Sequence, residues 1–143
     1  MIDSLISSPT TRMLEQTLSF TEQRHNLLLD NIANVDTPGY VERDVPVEAF
    51  QATLRQAVEE RRASPNDTYD PQSTNEVTFQ PGGSNISIHP HETPNSVVFH
   101  DRGIRRMEFL MSELADNALA HNMTAQLLRN RYDTITKAIS MKV

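Results

Sequence analysis

From Met107 to Ile139 the chain reads MEFLMSELADNALAHNMTAQLLRNRYDTITKAI. Met107, Met111, Leu114, Ala118, His121, Ala125, Leu128, Tyr132, Ile135 and Ile139 recur at alternating steps of four and three. Such steps bring residues to one face of an α-helix, as in a coiled-coil seam. Between Asp101 and Met141 there is no proline, and no glycine after Gly103. Nothing therefore breaks the pattern, which predicts one helix of more than four heptads. Asp101 at its start and Lys137 and Lys142 at its end suit the helix dipole. A weaker stripe of Ala120, Met123, Leu127, Thr134, Ala138 and Met141 lies on another face. One helix partner would cover the first stripe, and the second asks for another neighbour.

The opposite end of the chain carries a similar seam. Leu14, Leu18, Thr21, His25, Leu28, Ile32 and Val35 follow the same steps, with Leu27 and Leu29 widening the apolar face. Ser8 followed by Pro9 is a helix start, because proline at the first position forfeits no helical hydrogen bond. This helix runs to about Asn34. Two seams at the two ends of one chain are buried most simply by pairing them antiparallel. The simplest register sets Leu14 near Ile139, His25 near Leu128, and Ile32 near His121.

A shorter helix is predicted over Val45–Ala63, capped by Asp44, with Val47, Phe50, Leu54 and Ala57 on one face. Residues 64–102 hold five of the eight prolines, which exclude a long helix. The alternating runs EVTFQ (76–80) and NISIH (85–89), separated by PGGS, predict a β-hairpin. SVVFH (96–100) is a candidate third strand. The fold class is therefore mainly α: two long terminal helices paired as an antiparallel, coiled-coil-like bundle. A short helix and a small β-rich, partly mobile insert lie between them. In domain terms, 1–63 and 101–143 form the helical region and 64–100 the insert.

Composition narrows the functional classes. The 143 residues are 37% hydrophobic and 6% aromatic, without tryptophan, a thin supply for a compact core. A net charge of −6, with basic residues scattered, argues against nucleic acid and anionic membranes as partners. Without cysteine there is no disulfide, thiolate zinc site or cysteine nucleophile. No apolar run approaches the ~18 residues of a membrane span. MIDSLISSPTT at the N-terminus lacks the basic and apolar segments of a secretory signal.

Catalytic and cofactor patterns are missing. The sequence has no G-x-S-x-G, Walker loop or HExxH. His89, His91, Glu92 and His100 match no compact metal motif and read as solvated loop residues. His25 and His121 fall on apolar seams, where packing explains them better than ligation. No enzyme, cofactor, metal or small-molecule substrate is expected.

One stretch says more than its local physics requires. In NIANVDTPGY (31–40), Pro38-Gly39 marks a type II turn, with proline presetting φ and glycine accepting a positive one. Asn34 is a candidate left-handed residue closing the helix. The turn accounts for the Gly and Pro but not for Ala33, Asn34 and Tyr40 together. Ala33, Asn34, Thr37, Pro38, Gly39 and Tyr40 resemble the Ala-Asn-x-x-Thr-Pro-Gly-Tyr signature of bacterial flagellar axial proteins, the rod and hook subunits. QRHNLLLDNIANVDTPGYVERDVPVEAF (23–50) resembles proximal rod subunits in particular, as does NALAHNMTAQLLRNRYDTITKAIS (117–140), with Leu119, Tyr132, Ile135, Lys137, Ala138 and Ile139 at matching places. The resemblance covers about half the chain. It departs at Asn95–Phe99, which lacks an expected Asp, and at Ala120-His121-Asn122, where an Arg-Tyr-Gln is usual.

The resemblance implies a structural subunit of the basal-body rod without catalytic activity. Such subunits are exported by the flagellar type III apparatus without a cleaved signal and join a helical array in the periplasm that supports motility. It implies as partners further copies of the chain, other rod subunits, and the MS-ring/rod adaptor and export-gate components at the rod base. The assembly residues would be the turn motif together with the seam residues Leu14, Leu18, Leu28, Ile32, Met107, Met111, Leu114, Ala118, Ala125, Leu128, Tyr132, Ile135 and Ile139. The alternatives are another proximal rod or axial subunit, whose usual Tyr-Gln-Ala-Asn type of C-terminal signature is not seen, and a coiled-coil adaptor or chaperone.

Overall fold

The computed structural model describes residues 8–63, 69–80, 83–93 and 103–140. Among the described residues there are three helices: α1 (Pro9–Ala33), α2 (Val47–Ala63) and α3 (Gly103–Ser140). The described residues between them hold four short strands: β1 (Arg43–Asp44), β2 (Val77–Phe79), β3 (Ile86–Ile88) and β4 (His91–Glu92). The protein is mainly helical, with α1 and α3 packed together and small antiparallel sheets between the helices in sequence.

Helix α1 starts as its sequence dictates. Ser8 is the N-cap, its Oγ accepting from the Thr11 N–H at 3.3 Å, and Pro9 occupies the first turn. Helix α2 starts differently from expectation. The Phe50 N–H bonds the Pro46 carbonyl, so Asp44 is not the cap. Asp44 lies in β1 instead, paired with His91 of β4, while Arg43 pairs with Glu92. The expected hairpin forms, with Val77 opposite Ile88 and Phe79 opposite Ile86. The candidate strand at 96–100 lies outside the described residues.

α1 is sandwiched. One side meets an apolar core made by Phe20 and Leu27 of α1, Val45, Phe50, Leu54 and Ala57 at α2, Tyr69, and Val77, Phe79 and Ile86 of the hairpin. The Phe20 and Phe50 rings stack with centroids 4.1 Å apart, and Phe79 stacks on Phe50 at 6.2 Å. Gln23 joins helix to sheet like a strand, donating to the Ile86 carbonyl at 2.9 Å and accepting from the Ile88 N–H at 3.2 Å. The Tyr69 hydroxyl, fully buried, donates to Gln16 Oε1 at 2.9 Å. Burial, partly offset by the Arg12 charge, pushes the Tyr69 hydroxyl up to about 12.

The other side of α1 meets α3, and here two expectations are corrected. First, the register differs. His121 Nδ1 lies 3.0 Å from Thr21 Oγ1, where Ile32 was expected, a slip of about three helical turns along α1. Second, α3 is rotated about its axis. Leu110, Asn117 and Thr124 are buried, while Met111, Tyr132 and Ile139 of the expected seam are exposed. The physical reason is polar matching. Asn117 Nδ2 donates to the Thr21 carbonyl at 2.8 Å, and Arg24 donates to Glu113 at 2.7 Å. A seam diluted by Thr21 and His25 fixes register weakly, so these polar partners decide it.

Candidate functional site

The corner after α1 is built from short-range geometry. Asn34 closes the helix: its N–H and its Nδ2 both donate to the Asp30 carbonyl, at 3.1 and 2.8 Å. The Asn34 backbone has φ −108°, so it is not the left-handed residue its identity suggested. The Thr37 N–H then bonds the Asn34 carbonyl at 2.9 Å, and the Tyr40 N–H bonds the Thr37 carbonyl at 3.1 Å. Gly39, at φ 78°, supplies the positive dihedral that a type II turn requires at its third residue.

Tyr40 turns back onto the helix. Its hydroxyl donates to Asn31 Oδ1 at 2.9 Å. The same oxygen accepts from the Arg43 N–H at 3.2 Å, while Asn31 Nδ2 donates to the Arg43 carbonyl at 2.7 Å. Asn31 is buried and pins both flanks of the turn to α1. Its amide gives the returning strand the donor and acceptor a neighbouring strand would give. A buried amide with all these partners favours one arrangement, since losing any of them would strand a polar group.

Two arginines continue the bracing. Arg24 of α1, 6% exposed, makes a two-pronged pair with Asp44, Nε to Oδ1 at 3.0 Å and Nη2 to Oδ2 at 2.9 Å. The same Nη2 reaches Glu113 of α3. Burial disfavours the Arg24 charge, but the hydrogen bonds and charges of Asp44 and Glu113 outweigh it, so its pKa is raised. Arg106, near the start of α3, makes a two-pronged pair with Glu42. The Glu42 carbonyl accepts from the N–H and hydroxyl of Thr93 at 2.9 and 3.1 Å. Segment 42–44 is thus held by α1, α3 and β4 at once. A cavity of about 40 Å³ beside Leu28, Asn31, Glu42 and Arg106 is far below the size of a small-molecule site.

The structure gathers the expected turn residues into one exposed corner, with Asn34 and Tyr40 half-buried and Ala33, Thr37, Pro38 and Gly39 open to solvent. Among the expected seam residues, Leu28 and Ile135 are buried, and Leu14, Leu18, Ile32, Met107, Leu114, Ala118, Ala125 and Leu128 are half-buried between the helices. Met111, Tyr132 and Ile139 remain on the surface, Tyr132 donating to Glu15 at 2.5 Å. That hydrogen bond, with burial and the Glu15 charge adding to it, raises the Tyr132 pKa.

Sequence reading missed Arg24, Asn31, Glu42, Asp44, Arg106 and Glu113 as a connected set. A signal existed for some of them. Arg24 and Asn31 are polar residues within the apolar-patterned helix, a cue for buried polar partners. Asp44, in the segment after the turn, is one partner of Arg24, but nothing local points to Glu113 or links Glu42 to Arg106. His89 bonds Thr78, and His91 lies in β4. Among the described residues, no cluster of three or more His, Asp or Glu is placed to hold a metal. Nor is any described helix long and apolar enough to cross a membrane.

Fold and corner together define a class: a mainly α protein with paired helices near its two ends, in which the first helix stops at a cross-braced turn. Over 64 residues the chain is 38% identical to the flagellar basal body rod protein FlgB of Yersinia enterocolitica. The match takes in 45% of this chain and 43% of that protein, less than half of either. No family model and no solved structure matches the chain.

Proposed function

We propose that this protein is a structural subunit of the bacterial flagellar rod, of the FlgB type, and not an enzyme. The observation that carries the reading is the signature at 33–40 set in its flanks, together with the 38% identity to a FlgB over part of the chain. The corner gives those residues a mechanical role. Asn31, Tyr40, Arg24 and Arg106 fix the direction in which the chain leaves α1. A fixed corner lets the paired helices and the segment after the turn meet neighbours at a constant angle.

On this reading the subunit crosses the inner membrane through the flagellar type III apparatus without a cleaved signal. It then assembles in the periplasm at the base of the rod. Its partners are further copies, other rod subunits, and the MS-ring/rod adaptor and export-gate components. Heterologous contacts between copies generate a helical array and not a closed ring. The thin core suits a chain that must unfold for export.

The test is a deletion strain examined by motility assay and by imaging of basal bodies. Loss of motility with basal bodies lacking a rod is expected. Normal swimming in the deletion strain would refute the reading. Complementation with Gly39→Val is expected to restore export but not rod assembly, because valine resists a φ of 78°.

A further inference from the structure

The hairpin of β2 and β3 has two edges, and side chains engage both. The Glu76 carbonyl accepts from the His89 N–H at 2.7 Å, and the Gln80 N–H donates to the Asn85 carbonyl at 3.3 Å. By alternation, Val77 and Phe79 turn their backbone groups away from β3, and Ile86 and Ile88 turn theirs away from β2. On β3, Gln23 of α1 takes the Ile86 carbonyl and the Ile88 N–H. The β2 edge is closed differently. The Thr74 N–H donates to the Val77 carbonyl at 2.8 Å, and Thr74 Oγ1 accepts from the Val77 N–H at 3.1 Å. Ser73 Oγ accepts from the Phe79 N–H at 3.0 Å and, at 3.5 Å, donates to the Phe79 carbonyl. Every outward backbone group of Val77 and Phe79 is thereby engaged. Ser73 and Thr74 are themselves exposed, so this edge lies under a thin cover and not under a helix.

We propose that Ser73 and Thr74 guard the β2 edge against strand addition by a second copy of the chain. An open edge strand is a template for another strand, and Val77-Thr78-Phe79 has the residue types that strands favour. Without its cover, β2 could pair antiparallel with β2 of another copy. Val77 of one would then bond Phe79 of the other, and the two Thr78 residues would face each other. Glu76, the only charge in 76–80, would face Gln80, so no like charge opposes this pairing. Charge is the usual protection of an exposed edge. Here two hydroxyl side chains take its place by occupying the hydrogen bonds themselves. Pro71, just upstream, has no N–H, so the guarding segment is a poor strand for recruiting a further chain.

The chain has no cysteine, so a single cysteine at the centre of the strand reports the pairing. Facing residues at that position of an antiparallel pair lie within disulfide reach. Under mild oxidation of the purified full chain, Thr78→Cys alone is expected to stay monomeric. Thr78→Cys with Ser73→Ala and Thr74→Ala should form at least tenfold more disulfide-linked dimer. Ser73→Thr with Thr74→Ser keeps both hydroxyls and should return the yield to that of Thr78→Cys alone. Met111→Cys, exposed on α3, placed in the double-alanine background separates edge pairing from loss of fold, and it should not crosslink. Ser73→Ala alone, which leaves the Thr74 bonds in place, should give an intermediate yield and serves as the test if the double-alanine chain does not fold. A rise of less than tenfold on removing both hydroxyls, or equal crosslinking at 78 and 111, would overturn the proposal. These measurements use isolated protein, so they fail or succeed independently of the flagellar reading.

Discussion

The two sides of α1 are held by different physics. Toward α2 and the hairpin it buries Phe20 and Leu27 in an apolar cluster with stacked aromatic rings. Toward α3 its closest partners are polar: Thr21 with His121 and Asn117, Arg24 with Glu113. Apolar burial stabilises in proportion to area and tolerates small shifts. Hydrogen-bonded charges contribute less net stability but accept one geometry. The core side therefore holds the fold together, and the α3 side decides how the long helices align.

The largest test of this contrast is Phe50→Ala, which empties the middle of the aromatic stack. A loss of about 4 kcal/mol in urea denaturation is expected, in the range for buried phenylalanine. Next comes removal of both carboxylates around Arg24. The Asp44→Ala/Glu113→Ala variant strands a buried guanidinium and is expected to lose about 3 kcal/mol. Arg24→Met should cost less, because the carboxylates left behind are each 31% exposed and regain water. If the two substitutions cost the same, burial of Arg24 is not the source of the asymmetry. Hydrogen exchange should show the carboxylate variant losing protection in α3 before the hairpin does.

A third test belongs to the core side alone. The Tyr69 hydroxyl ionises near 10 when unfolded and at about 12 when folded. Above pH 10 the unfolded chain gives up its proton first, so stability falls through this window and levels off beyond the folded value. The slope from this group is at most about 1.4 kcal/mol per pH unit. Denaturation midpoints measured from pH 9 to 12 should show it, and Tyr69→Phe should flatten it. The smallest expected effect is Tyr132→Phe on the exposed part of the α3 side. It removes a surface hydrogen bond to Glu15 and should change stability by less than about 0.5 kcal/mol.

Much of the fold was legible before any coordinate. Ser8-Pro9, Pro38-Gly39 and the alternation in 76–80 and 85–89 each act within a few residues, and the structure places a helix start, a turn and a hairpin there. The pairing of α1 with α3 was legible too, because both faces repeat at helical spacing. Asp44 was misread, since an acid before a helix resembles a cap wherever its true partner sits far away in sequence. The β1–β4 pairing was not legible, because two-residue strands carry no periodicity. The candidate site was half legible: the turn was visible, but the bracing by Asn31, Arg24 and Arg106 was not.

What the sequence determined by itself is where helices begin and stop, where the chain reverses at Gly39, and which residues alternate in the hairpin. Backbone sterics and side-chain periodicity are local, so a short window contains them. Only the tertiary structure decided which line of α3 faces α1, how far the helices slide, and that segment 42–44 is locked between them. Those choices rest on Arg24, Asp44, Glu113, Glu42 and Arg106, whose partners lie 20, 89 and 64 residues apart. A charge shows its sign in the sequence, but its partner is fixed only when burial makes an unpaired charge too costly to keep.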